Sequence, residues 1–446
     1  MKKNFLFKIM RTGINNLKGR GLSAVLMAGF ISLPIFSAAA QGRGENLDET
    51  RVTPYTLPDP LKAANGKRIT SAKEWSNTQR PMVLQLFQEH VYGKFPGKPK
   101  DLHFKVNSVD DGALGGKAIR KQITVFFSKA ADAPNMEVLL YLPKSAKKPV
   151  PVFIGLNFYG NHTVHPDPGI KLSTRWQRNT ADISVVNNRA TEAARGVSSK
   201  SFPLEEILAS GYGLATAYYG DLEPDHNDGW QTGIRTTLKS ELGIKEEEWG
   251  AIGAWAWGLS RMMDYLETDK DVKAEQIVLT GHSRLGKAAL WAAANDTRFA
   301  MVVSNNSGEG GAALARRNFG ETTAHLNQSF PHWFNPKFKE YNGQADKLPV
   351  DQHMLLALMA PRPLYVASAG EDAWADPKGE FLGAKNAEPV YALFSRKGLG
   401  VSEMPPLNKP VGETIRYHIR TGGHGMTLYD WQQYLKFADQ HLVKVK

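Results

Sequence analysis

The segment Ile277-Val278-Leu279-Thr280-Gly281-His282-Ser283-Arg284-Leu285-Gly286-Lys287 sets a serine in a Gly-x-Ser turn between an apolar run and an Ala-rich stretch. A serine hydroxyl becomes a useful nucleophile only beside a base and beside donors for the oxyanion it creates. A strand that runs into a sharp turn and then a helix helps with both. It lifts the hydroxyl clear of the sheet, and it leaves the next backbone N–H free near the positive end of the helix. The match to Gly-x-Ser-x-Gly is imperfect, because Leu285 stands where the second glycine belongs and Gly286 follows one residue later. Gly281 and Gly286 are expected to relieve crowding where strand and helix nearly touch. The base expected for Ser283 is His424, in Thr421-Gly422-Gly423-His424-Gly425, where flanking glycines let a loop carry an imidazole over a sheet end. The acid is expected at a strand end between them, in Ser368-Ala369-Gly370-Glu371-Asp372-Ala373-Trp374-Ala375-Asp376. Asp372 is the choice, with Glu371 and Asp376 as alternatives. Its work would be to hold the histidine tautomer and stabilise the imidazolium. Taken singly, each is an ordinary loop feature; together they point to acyl transfer.

The elements that must position these groups follow from the apolar pattern. Residues 72–92 have helical spacing. Strands are expected over 102–109, 120–127, 136–142, 150–158, 212–219, 276–280, 299–304, 364–368 and 414–420, and further helices over 248–267, 285–294 and 428–443. Strands alternating with helices imply an α/β chain: a three-layer sandwich around a mostly parallel sheet. The near-continuous apolar run at 150–158 suits a strand covered on both faces. Two long connections, 160–203 and 308–350, are rich in Gly, Pro, Asn, Trp and His. Long connections inside a domain are often functional, and both are expected to overhang the ligand-binding end of the sheet.

Composition narrows the setting. With 42% hydrophobic residues the 446-residue chain can bury a large core. Residues 1–40 read as a signal peptide: six basic and no acidic residues, an apolar stretch over 22–36, then Ser37-Ala38-Ala39-Ala40, with cleavage expected before Gln41. Residues 41–446 are expected to form one catalytic domain. The leader carries six of the +11 net charges, leaving +5 for the remainder, with no dense basic block and no nucleic-acid motif. There is no cysteine, so neither a disulfide framework nor a lipoprotein anchor is available. Export to the periplasm or the medium is expected, with no membrane attachment after cleavage.

The order nucleophile, acid, histidine is that of α/β-hydrolases. Together with Gly281-His282-Ser283-Arg284-Leu285-Gly286-Lys287, the motifs Ser304-Asn305-Asn306-Ser307-Gly308, Trp374-Ala375-Asp376-Pro377 and Gly423-His424-Gly425 resemble the bacterial glucuronoyl esterases, carbohydrate esterase family 15. The resemblance spans nearly all of residues 41–446. It implies hydrolysis of esters joining (4-O-methyl-)glucuronic acid on xylan to lignin alcohols, with no metal or cofactor. It also implies that Arg284 helps to bind the oxyanion, that Lys287 binds sugar hydroxyls, and that Glu321 and Trp374 contact the uronate. Some members carry the acid where this chain has Asn306, which cannot hold the charge; the resemblance therefore puts the acid at Asp372, with Glu309 a weaker contender. A monomer is expected. The competing readings are an acetyl xylan esterase or other carboxylesterase on the same scaffold, and a non-catalytic polysaccharide-binding protein.

Overall fold

The computed structural model describes residues 45–442. The leader expected at 1–40 lies outside the described residues. Among the described residues there are ten strands: β1 (His103–Gly112), β2 (Ala118–Phe126), β3 (Asn135–Pro143), β4 (Val150–Asn157), β5 (Gly213–Tyr218), β6 (Val272–His282), β7 (Met301–Asn305), β8 (Leu364–Ala369), β9 (Val411–Gly412) and β10 (Ile415–Arg420). They form one sheet in the order β1-β2-β3-β5-β4-β6-β7-β8-β10-β9. From β5 to β10 every neighbouring pair is parallel. The β1–β2, β2–β3 and β3–β5 pairs are antiparallel, so helix–strand alternation does not extend to that edge. The links from β1 to β2 and from β2 to β3 are too short for a parallel crossover, which needs a dozen residues or more.

Strand alternation assigns side chains to the two layers. Val152 and Ile154 of β4, Ile277 and Leu279 of β6 and Val366 of β8 belong to one core. They pack with helices α1 (Ala251–Leu266), α2 (Arg284–Asn295) and α3 (Pro377–Leu393). Phe153, Val278, Val303 and Tyr365 point the other way, into a core completed by the short helix Leu204–Ala209 and by α4 (Leu428–His441). Strands buried on both faces need apolar residues at consecutive positions, which is why β4 and the Ile277–Leu279 part of β6 lack a polar side. A three-layer, mostly parallel sandwich with a strand–turn–helix leaving a central strand is the α/β-hydrolase fold.

The segment 72–92 is helical throughout, but two π-helical stretches, Trp75–Gln79 and Gln88–Tyr92, interrupt it. The two long connections are ordered by local turns. The first holds three 3₁₀ turns, and Arg195 ties it together by donating to the carbonyls of Asp167 at 3.1 Å and Ile170 at 2.8 Å. The second contains a helix, Thr323–Ser329.

Candidate active site

Ser283 stands between the end of β6 and the first residue of α2, with φ 56° and ψ −133°. A non-glycine residue held there stores about 1–3 kcal/mol and persists only when its surroundings impose it. Here its N–H donates to the carbonyl of Asn305 on β7 at 2.9 Å, and its carbonyl accepts from Gly286 N–H at 2.8 Å. The glycine spacing has a steric origin. A Cβ on Gly281 would lie 2.2 Å from the Leu285 carbonyl oxygen, and one on Gly286 would lie 3.0 Å from Ser307 Cβ. Close approach falls on residue 286 rather than 285, so Leu285 is free to pack in the core. Arg284 opens α2, and the N–H groups of a first helical turn have no intrahelical acceptor. Its backbone thus presents a donor beside the serine.

His424 sits on the loop between β10 and α4, and its ring centroid is 4.6 Å from that of His282, the residue before Ser283. Its Nδ1 hydrogen-bonds Asp372 Oδ2 at 2.7 Å. Asn306 Nδ2 donates to the same oxygen, also at 2.7 Å. Burial works to raise the Asp372 carboxyl, but the bond and charge of His424 and the bond from Asn306 outweigh it, leaving the pKa below the usual value. Burial, reinforced by His424, pushes His282 down to about 3, so that ring stays neutral. The alternative acids are placed elsewhere. Glu371 is exposed at the side-chain level, while its N–H donates to the Gly422 carbonyl at 3.0 Å. Asp376 accepts from Gly379 N–H at the start of α3 and from Arg317. Glu309 is buried against the Thr323 hydroxyl at 2.7 Å.

The residues expected to hold substrate also converge. Lys287 Nζ bonds Glu321 Oε2 at 2.7 Å, and Trp374 Nε1 donates to Glu321 Oε1 at 3.3 Å. Trp374 is 37% exposed, enough to offer a ring face. Arg284 lies over Trp333, its guanidinium carbon 4.8 Å from the ring centroid, and contacts the Asp225 carboxylate. Among the described residues no group of three or more His, Asp or Glu is placed to hold a metal ion.

Four residues that shape this site escaped the sequence analysis in that role. Asn306 was singled out only as a missing acid, yet it donates to Asp372. Asp225 lies in an irregular segment after β5, with no local pattern to mark it. Glu380 reaches from α3 to accept from the backbone of Ser307 at 2.7 Å and Gly308 at 3.1 Å and from Ser368 Oγ at 2.6 Å. Burial pushes its carboxyl up to about 8. Arg420, the last residue of β10, donates to the carbonyls of Thr421 at 2.8 Å, Gly423 at 3.0 Å and Gly425 at 2.7 Å. Its Nε is held by Asp430 at 2.8 Å. The glycine-rich loop bearing His424 is thus wrapped around one guanidinium.

Comparison with known proteins places the chain in a family. Residues 241–395 match the family model described as glucuronyl esterase, fungi. The chain is 50% identical over 405 residues to a carbohydrate esterase from an unknown prokaryotic organism, covering 90% of this chain and 93% of that one. It is 34% identical over 352 residues to a 4-O-methyl-glucuronoyl methylesterase from Wolfiporia cocos, covering 75% and 71%. A solved glucuronoyl esterase from Solibacter usitatus superposes with a TM-score of 0.83 at 52% identity, over 88% of this chain and all of that one. With the fold, the strained serine turn and these relatives in agreement, the chain belongs to the glucuronoyl esterases of carbohydrate esterase family 15.

Proposed function

We propose that this enzyme hydrolyses the ester between (4-O-methyl-)glucuronic acid of glucuronoxylan and lignin alcohols, through an acyl-enzyme on Ser283. The observation that carries the reading is the 2.7 Å bond from His424 to Asp372, made by an imidazole packed against the residue preceding Ser283. Ser283 Oγ attacks the uronic ester carbonyl while His424 Nε2 takes its proton. Asp372 keeps the other ring nitrogen protonated and offsets the charge of the imidazolium. The backbone N–H and the guanidinium of Arg284 receive the oxyanion, with a further N–H from the segment 155–161. His424 then protonates the departing alcohol, and water, activated by the same imidazole, releases the uronic acid. The sugar hydroxyls meet Lys287 and Glu321, and the ring lies on Trp374, whose flat apolar face suits a pyranose.

The chain is read as exported to the periplasm or medium by a leader over residues 1–40, with residues 41–446 forming one catalytic domain that acts as a monomer. Among the described residues no helix is long and apolar enough to cross a membrane. Parallel assays on benzyl glucuronate and on acetylated xylan test the substrate. Hydrolysis of the glucuronate with little acetate release is the expected outcome. Preferential deacetylation would move the enzyme to the acetyl esterases, and inactivity on both would favour a binding protein.

A further inference from the structure

The Asp225 carboxylate, on the segment after β5, is 2% exposed and receives four donors. Oδ1 accepts from His332 Nε2 at 2.8 Å and from Trp333 Nε1 at 2.8 Å. Oδ2 accepts from Tyr219 OH at 3.0 Å and from Arg284 Nη1. Each oxygen takes two bonds, which fills the acceptor capacity of a carboxylate. The indole that donates to Asp225 also lies under both cations of the site. Its centroid is 4.8 Å from the Arg284 guanidinium carbon and 5.6 Å from Lys287 Nζ. Phe330, stacked on Trp333 at 3.7 Å, and Phe158 complete an aromatic wall around Arg284. Arg284 Nε has no hydrogen-bond partner among the described residues. A long side chain with several rotamers is thereby pinned at one nitrogen and its ring-facing surface, while a buried, uncommitted donor remains on the residue that follows Ser283.

We infer that Asp225 is the positioning residue of the reaction: with the His332-Trp333 pair it fixes the Arg284 guanidinium in the orientation that meets the oxyanion. This rests on the reading of Arg284 as an oxyanion donor. A fixed donor stabilises the transition state without reorganising, so loosening it lowers kcat rather than raising KM. Asp225→Asn replaces two acceptor sites by an amide donor, and one side of the network must break.

The test is a double-mutant cycle on benzyl glucuronate with Asp225→Asn, Arg284→Ala and the double variant, each checked by thermal melting. Removing a whole oxyanion donor costs roughly a hundredfold to a thousandfold, so mispositioning one is expected to cost about ten- to a hundredfold in kcat, with KM within about threefold. The double variant is expected to be no slower than Arg284→Ala, since the effect runs through that side chain. Trp333→Phe, which removes one donor and keeps the aromatic floor, covers the case in which Asp225→Asn fails to fold. It is expected to lose kcat in the same direction, and not in the Arg284→Ala background. Full kcat in Asp225→Asn, or an equal loss with and without Arg284, overturns the inference. Full kcat in Arg284→Ala removes the oxyanion reading itself.

Discussion

Asp372→Asn removes a charge while leaving the shape of the site nearly intact. Its cost follows from the contacts. His424 and Asn306 both bond Asp372 Oδ2, each at 2.7 Å. Because the Asn306 amide is a donor, an asparagine at 372 is steered to turn its own oxygen toward the pair. The histidine tautomer therefore survives, and the main loss is the attraction between carboxylate and imidazolium. For unit charges about 4 Å apart at an effective dielectric near 20 that attraction is about 4 kcal/mol. At 1.36 kcal/mol per decade this is roughly a thousandfold in kcat. Initial rates on benzyl glucuronate, with a melting curve to show that the fold is retained, provide the measurement. KM should change little, because the imidazolium forms only as the reaction proceeds. Activity within tenfold of the parent would refute the reasoning and move the acid to another carboxylate.

Two further outcomes follow from neighbouring contacts. The Glu380 carboxyl is raised to about 8 by burial, so between its unfolded pKa and about 8 the folded chain binds the extra proton and stability falls as pH rises. Glu380→Gln should flatten the decline of the melting temperature from pH 5 to 8; an unchanged slope would show that this carboxyl does not govern it. Arg420→Met removes the donors that hold the carbonyls of residues 421, 423 and 425, and should cut kcat at least tenfold by letting His424 wander. Full kcat with this substitution would show that the loop holds its shape without the guanidinium.

The readable part of the molecule was the part whose chemistry is local. Continuous apolar runs marked β4, β6 and β8, because strands buried on both faces admit nothing else there. The glycines at 281 and 286 marked the serine turn, because a Cβ at either would press on backbone or a neighbouring side chain. The 17-residue helix Pro377–Leu393 was not anticipated. It contains Gly379, Gly383 and an internal Pro389, and along its buried face the large residues Phe381, Val390 and Tyr391 are interrupted by Gly383, Ala384 and Ala387. Its stability comes from packing against the sheet, which propensity does not register. Asp225 and Arg420 were invisible for another reason. Their partners are distant in sequence or are backbone carbonyls, and neither leaves a pattern. Asn306 illustrates an intermediate case: its type ruled out an acid, while only the structure revealed its bond to Asp372, the candidate acid.

In the proposed reaction the hydroxyl of Ser283 attacks the ester. Treating the enzyme with a reactive aryl phosphonate and mapping the adduct by peptide mass spectrometry tests this directly. One stoichiometric adduct on Ser283, loss of esterase activity in step with labelling, and no adduct in Ser283→Ala are expected. Activity that persists in Ser283→Ala, or an inactivating adduct on a different residue, would contradict it.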